Sequence, residues 1–189
     1  MSSRRNHILE VATEVILTKG FGGASMRDIA SAAGMEASSL YNHISNKQDI
    51  LESICMEIGN MYLQELDEIL SKEDSYKKKV RAIITLHVRL SAEYKEKMIV
   101  FDQEWRHLED RANKEFVKMR KRYEQKLAAF FQYGMEQKKI VIADPQVMVY
   151  TFLSGLKWLN YYFKDNKVKN VDKIVNDIYT IYHKGFLKN

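Results

Sequence analysis

At 189 residues, with 46% apolar and 29% charged residues, the chain has the length of one domain, or one with a small companion, and wholesale disorder is excluded. Eight glycines and one proline are too few breakers for a turn-rich β protein and favour long helices. A formal charge of +5 suggests an anionic partner, and a single cysteine, Cys55, excludes an intramolecular disulfide.

In chain order, Ile8, Ala12, Val15 and Ile16 follow the helical i, i+4, i+7, i+8 rule, and Gly20 ends that helix. The apolar residues there are broken by Glu10, Glu14 and Lys19, so no signal peptide is expected. Ser25 with Asp28 forms a capping box that opens a second helix through Ile29, Ala30 and Ala33, closed by Gly34. A short helix over 37–44 follows. Asn46 with Asp49 makes another capping box, opening a long amphipathic helix through Leu51, Ile54, Ile58, Tyr62, Leu66 and Leu70. Cys55, among Ile54, Met56 and Ile58, is expected to be a buried small apolar residue. After a loop at 71–75, Val80, Ile83, Ile84, His87 and Leu90 mark a fifth helix, and 98–108 a shorter, aromatic-rich one. Ala112, Phe116, Met119, Tyr123, Leu127, Phe130 and Phe131 make the most regular stripe. Asp144-Pro145 is an N-cap with proline at the first helical position, starting a helix to Phe163. Residues 164–170 are polar, and Ile174, Ile178, Ile181 and Phe186 mark the last helix. The expectation is all-α, with about nine helices and no strands. No run of about 18 apolar residues occurs, so no membrane span is expected and the chain should be cytoplasmic.

The composition shifts near residue 50, from short glycine-punctuated elements to long helices rich in aromatic residues and methionine. Two domains are expected, 1–50 and 51–189. The head contains Ala30-x-x-x-Gly34-Met35-x-x-x-x-Leu40. Two helices that cross steeply need a small residue at the contact, a residue that tolerates positive φ at the turn, and apolar plugs beneath the second helix. That is a helix-turn-helix, whose second helix enters the major groove of DNA, or else a core helical hairpin.

Residues 20–51, GFGGASMRDIASAAGMEASSLYNHISNKQDIL, resemble the DNA-binding signature of the TetR/AcrR family of bacterial transcriptional regulators. The resemblance rests on Lys19-Gly20-Phe21, on Ser25 with Ile29, Ala30, Ala33 and Gly34, on Leu40, Tyr41 and His43, and on Lys47. Two departures are Ile44, where phenylalanine is usual, and Glu36-Ala37, where Ser-Lys or Ser-Pro is common. Glu36 repels phosphate. The resemblance implies that Ser38, Ser39 and Asn42 hydrogen-bond base edges and that Tyr41 meets a thymine methyl or a phosphate. It also implies that His43 and Lys47 reach phosphates, that Ser25 and Arg27 lie against the DNA backbone, and that Arg4 and Arg5 form an N-terminal arm. A solvated tail is the alternative for Arg4 and Arg5, and a partly buried packing role for Tyr41.

The family builds a homodimer from its last two long helices, here about 145–163 and 171–186, so that two heads read a palindromic double-stranded operator. Residues 149–156 are apolar almost all round, which demands burial on several sides. The middle helices resemble the family's ligand-binding part. There, His87, Phe101, Trp105, Arg106, Tyr123, Tyr133, Trp158 and Asn160 mix aromatic bodies with polar tips suited to orienting a small-molecule effector. Residues 86–163 loosely resemble regulators of fatty-acid and steroid catabolism, which sense acyl-CoA thioesters. Arg106, Lys118, Arg122 or Lys157 would then face the CoA phosphates.

No catalytic residues, cofactor or metal are expected. Glu104-x-x-His107 is a lone E-x-x-H, whereas a di-metal bundle needs two and further carboxylates. The basic amphipathic run 114–126 could suit a membrane surface, but Phe116, Met119 and Tyr123 in it continue a core stripe. A drug- or hydrophobe-sensing efflux regulator of the same fold is the nearer alternative. Mapping the charge sharpens its meaning: residues 1–50 are net zero, 51–76 net −6 and 77–189 net +11. The basic excess is therefore not on the DNA-reading head, and few phosphate contacts per head are expected.

Overall fold

The computed structural model describes residues 3–165 and 170–184. Among these, all regular structure is helical: α1 (Ser3–Gly23), α2 (Met26–Ala32), α3 (Ala37–Tyr41), α4 (Lys47–Ser71), α5 (Tyr76–Glu93), α6 (Lys95–Glu104), a 3₁₀ turn (Trp105–His107), α7 (Asp110–Glu136), α8 (Pro145–Lys157), α9 (Leu159–Asp165) and α10 (Val171–Lys184). Phe186 and most of the polar stretch 164–170 lie outside the described residues. The chain packs as two compact units, one holding residues 3–60 with 96–118, the other 61–95 with 119–165 and 170–184.

The head is assembled by local hydrogen-bond chemistry. Ser25 Oγ accepts from the Asp28 backbone N–H at 3.1 Å, and the Asp28 carboxylate accepts from the Ser25 N–H at 2.9 Å, completing the expected capping box. Lys19 Nζ donates to the same carboxylate at 2.6 Å, and that bond, with those from Ser25, lowers the Asp28 pKa to about 2. Gly34 takes φ 61°. The Met35 N–H reaches Ala30 O at 2.9 Å, and the Gly34 N–H reaches Ser31 O at 3.1 Å. Those two bonds are a Schellman motif, and they set the angle between α2 and α3. Gly20, also left-handed at φ 71°, interrupts α1 where the sequence placed its end. The Asn46 cap forms only in part. Its Oδ1 accepts from the Asp49 N–H at 2.9 Å, but the Asp49 carboxylate turns to the Ser45 N–H at 3.2 Å.

Ile8, Leu9, Ala12 and Ile16 of α1, Ile29 and Ala30 of α2, Leu40, Ile44, and Ile50, Leu51, Ile54 and Ile58 of α4 form the core of the first unit, and Cys55 is buried among them. In the second unit, Tyr62, Leu66, Ile83, Ile84, Tyr123, Leu127, Phe130, Phe131, Val149, Phe152, Leu156 and Ile178 are buried. α10 packs on α5, where Arg81 donates to Asn176 Oδ1 at 2.5 Å and covers the Tyr179 ring at 5.7 Å.

Two helix ends differ from expectation. α3 stops at Tyr41, and Asn42 and His43 form the turn after it. The helix expected over 145–163 divides at Trp158, whose indole Nε1–H donates to Gly155 O at 2.8 Å. Gly155 also lies against a side chain of α10. A Cβ there would overlap the Tyr182 hydroxyl, which donates to Phe152 O at 2.9 Å.

One buried polar group stands out in the second unit. The Tyr76 ring lies flat on Phe130, centroids 4.5 Å apart, and its hydroxyl is packed over Gly134, where a Cβ would overlap it. Among the described residues this hydroxyl has no hydrogen-bond partner, and burial pushes its pKa up to about 12. An unsatisfied buried hydroxyl costs about 1–3 kcal/mol. Tyr76→Phe keeps the stacking and removes that cost, so thermal melts are expected to show a midpoint raised by about 2–4 °C. A lowered midpoint would mean the hydroxyl finds a partner in solution.

Candidate functional site

The short helix α3 is seated from beneath and open from above. Leu40 is 0% exposed and Ile44 1%, whereas Tyr41 is 53% exposed. Ser38 and Ser39 on α3, and Asn42 and His43 in the turn after it, are all exposed. Small hydroxyl and amide side chains therefore project from one rigid end of the head. Each can donate and accept, the chemistry that reads base edges. Glu36, the N-cap of α3, makes no side-chain capping bond and is exposed beside them.

The cations named from the sequence divide into two groups. Arg4 and Arg27 are exposed. Arg5 is instead held against α4, donating to Asp49 at 3.0 Å and Ser53 at 2.9 Å. Lys47 is likewise turned inward. Its ammonium donates to Phe21 O at 2.5 Å and Ala24 O at 2.7 Å, and lies 4.5 Å from the Phe21 ring centroid. Lys47 thus ties the start of α4 to the end of α1. Ser25 is exposed but engaged in its cap. The Phe21 ring is also stacked on His107 at 5.5 Å, and Gln48 donates to His107 O at 2.8 Å.

The eight candidate ligand residues belong to both units. Phe101, Trp105 and Arg106 belong to the first unit, where Phe101 and Trp105 pack on the buried Phe116 ring and the exposed Arg106 lies over Trp105. In the second unit, His87 Nε2 and Tyr123 Oη share a hydrogen bond of 2.8 Å. Tyr62 lies 4.8 Å from the His87 ring, and Phe152 closes another side at 6.3 Å. Burial holds the His87 imidazole neutral, its pKa lowered to about 3, and raises that of Tyr123. Asn160 is buried and accepts from Ser91 Oγ at 2.8 Å. Tyr133 and Trp158 are 56% and 43% exposed. Tyr62 and Phe152 were named from the sequence as helix-stripe residues, not as ligand candidates. They arrive from α4 and α8, and no local spacing pairs them with His87.

Of the four cations assigned to CoA phosphates, Arg106, Lys118, Arg122 and Lys157 are all exposed, and Arg122 lies 3.9 Å from Asp67. Glu104 and His107 face each other at 3.4 Å. Among the described residues, no cluster of three or more acidic, histidine or cysteine side chains could hold a metal, and no helix is long and apolar enough to cross a membrane.

One face of the second unit is apolar and open. Val147 and Tyr150 of α8 are 58% and 53% exposed, and Ile181 and Tyr182 of α10 are 42% and 37% exposed. Tyr182 of α10 also donates to Phe152 O of α8.

Known proteins resemble the chain over nearly its whole length. The family model described as bacterial regulatory proteins, tetR family, matches residues 8–54, and that described as tetracyclin repressor-like, C-terminal domain, matches 41–185. The HTH-type transcriptional repressor KstR2 of Mycolicibacterium smegmatis is 22% identical over 160 residues, 84% of this chain and 78% of that protein. The crystal structure of PfmR, a TetR family transcriptional regulator from Thermus thermophilus, superposes with a TM-score of 0.85 at 23% identity, covering 96% of this chain and 99% of that one. AibR, crystallised with isovaleryl coenzyme A and operator DNA, superposes with a TM-score of 0.82 at 24% identity, covering 95% and 97%.

Proposed function

Because the chain belongs to the TetR family of bacterial transcriptional regulators, we propose that it is a repressor that binds a palindromic operator as a homodimer and leaves it when a small-molecule effector binds. Residues 1–50 read the DNA, and residues 51–189 bind the effector and dimerise. The observation that carries the reading is α3: Leu40 anchors it in the core, while Ser38, Ser39 and Tyr41 face outward. Asn42 and His43 extend that face into the following turn. Arg4 and Arg27, both exposed, are assigned to phosphates. Arg5, Ser25 and Lys47 act on the DNA chiefly by fixing the head, since their polar atoms are engaged within it.

A single head reads too few base pairs for a specific site, so two must be held about one DNA turn apart. The open apolar face of α8 and α10 supports pairing with a second copy, since large exposed apolar patches mark interaction sites. The effector site is assigned to the surroundings of His87 and Tyr123, whose ring nitrogen and hydroxyl share a hydrogen bond beside the Tyr62 and Phe152 rings. An acyl-CoA thioester is the proposed effector class. Its support is the isovaleryl coenzyme A bound by AibR, a protein of the same fold. Effector binding must favour a head spacing that no longer fits the groove. A coupling of about 2 kcal/mol, about 30-fold in DNA affinity, suffices.

One experiment tests these assignments together. A DNA site is selected from a random duplex pool with the full-length protein, and affinity is read by fluorescence anisotropy with and without isovaleryl-CoA and longer acyl-CoAs. The expected site is palindromic and takes two chains. The triple variant S38A/S39A/N42A is expected to bind at least about 30-fold more weakly, at about 1–3 kcal/mol for each base edge no longer read. Selection of no consensus, or unchanged affinity in the triple variant, would remove the operator reading. Unchanged affinity across all acyl-CoAs would remove the effector class alone.

A further inference from the structure

The second unit has a cleft of about 500 Å³, of the size that takes small organic ligands. It opens where the end of α4, the first turns of α5 and the last turns of α7 meet, and it shares no residue with α3 or with the His87 cluster. Leu70, Ala129 and Phe130 make it apolar, and the Tyr76 ring, stacked on Phe130, gives it a flat aromatic wall. Tyr133, 56% exposed, stands at its side.

Three lysines line the same cleft, from three separate segments: Lys79, Lys126 and Lys139. One carboxylate, Asp74, lines it too, and Lys78 lies 3.6 Å from that carboxylate. Lys126 is paired with Asp67 at 2.5 Å. Lys79 donates to Leu70 O at 2.7 Å, and among the described residues it forms no ion pair. Among the described residues, the Lys139 ammonium has no carboxylate within ion-pair distance. An apolar, aromatic floor under uncompensated positive charge is complementary to one chemistry: a flat apolar body carrying a single anionic head.

We infer that this cleft is a binding site for an aromatic carboxylate, which packs its ring against the stacked Tyr76–Phe130 pair and places its carboxylate by Lys79 and Lys139. The site is additional to the operator face and to the proposed effector site, and it does not depend on either assignment.

The probe is 2-naphthoate, titrated calorimetrically into the full-length protein at low salt, with neutral 2-naphthamide as its isostere. Saturable binding of one naphthoate per chain is expected, with the amide weaker by at least about tenfold. Lys139→Glu reverses a surface charge without touching the core, and it is expected to weaken naphthoate by at least tenfold at an unchanged melting temperature. Ala129→Trp, which fills the cleft, is expected to abolish binding. Equal affinity for acid and amide would overturn the site. So would naphthoate binding that survives both Lys139→Glu and Ala129→Trp, or the absence of saturable binding at millimolar naphthoate.

Discussion

Leu40→Ala is expected to lower stability by about 3 kcal/mol and to abolish operator binding, while each exposed residue of α3 can be changed with little loss of stability. Leu40 is wholly buried, and α3 has only five residues, far too few to persist as an isolated helix. The helix exists because Leu40 and Ile44 fill the floor of the head and because the Gly34 turn delivers them there. Removing the isobutyl group takes away the transfer free energy and leaves a cavity beneath Ser38, Ser39 and Tyr41. Those side chains would remain but would no longer be held in one geometry. Leu40→Met conserves volume and is expected to cost less than about 1.5 kcal/mol, with DNA binding largely retained. Chemical denaturation and anisotropy on the selected site read both effects. Near-normal operator affinity in Leu40→Ala would show that α3 is positioned by something other than this contact.

Acid is expected to destabilise the protein well above the carboxylate range, through His87. An unfolded imidazole titrates at its ordinary value of 6.5, whereas the folded one is held at about 3 by burial. Between those values the unfolded chain binds the extra proton, so stability falls as pH falls. It is fully present above about pH 7, about 2 kcal/mol is lost by pH 5, and the loss continues toward pH 3. The groups around the ring do not offset this. Tyr62 and Tyr123 are neutral phenols, Phe152 is apolar, and Glu65 is paired with Arg89. Asp28 contributes in the same direction, but its window runs only from 3.8 down to about 2, so it is silent above pH 5. His87→Gln can still hydrogen-bond Tyr123 and does not titrate. Melting temperatures from pH 7.5 to 4.5 are expected to fall steeply in the wild type and more shallowly in this variant. Parallel curves would show that His87 is not the group responsible.

How far the sequence could be read follows from the range of each interaction. The Ser25–Asp28 box, the Asp144-Pro145 start and the glycine turns at 20 and 34 were legible because each closes hydrogen bonds within about five residues. Core stripes were legible for the same reason, since helical spacing alone selects a face. The end of α3 and the break at Trp158 were not. The second depends on a side-chain indole competing for the Gly155 carbonyl, which no spacing rule anticipates.

Arg5 and Lys47 show where local reading ends. The resemblance gives Lys47 to phosphate and Arg5 to an N-terminal arm; in the structure the Arg5 tip lies against Asp49 and Ser53, and the Lys47 tip against the carbonyls of Phe21 and Ala24. A long side chain reaches about 6 Å, and what lies within that reach is decided by which helices pack together. The neighbours of the ligand candidates are decided in the same way: His87 meets Tyr62, Tyr123 and Phe152 from three other helices, and Phe101 and Trp105 pack on Phe116 within the first unit. Helix class, caps and the reading head were determined by the sequence itself, because backbone hydrogen bonds and apolar periodicity act over a few residues. Partners for long polar and aromatic side chains, and with them the buried imidazole and the lysine-lined cleft, were decided only by tertiary packing, because they join segments distant along the chain.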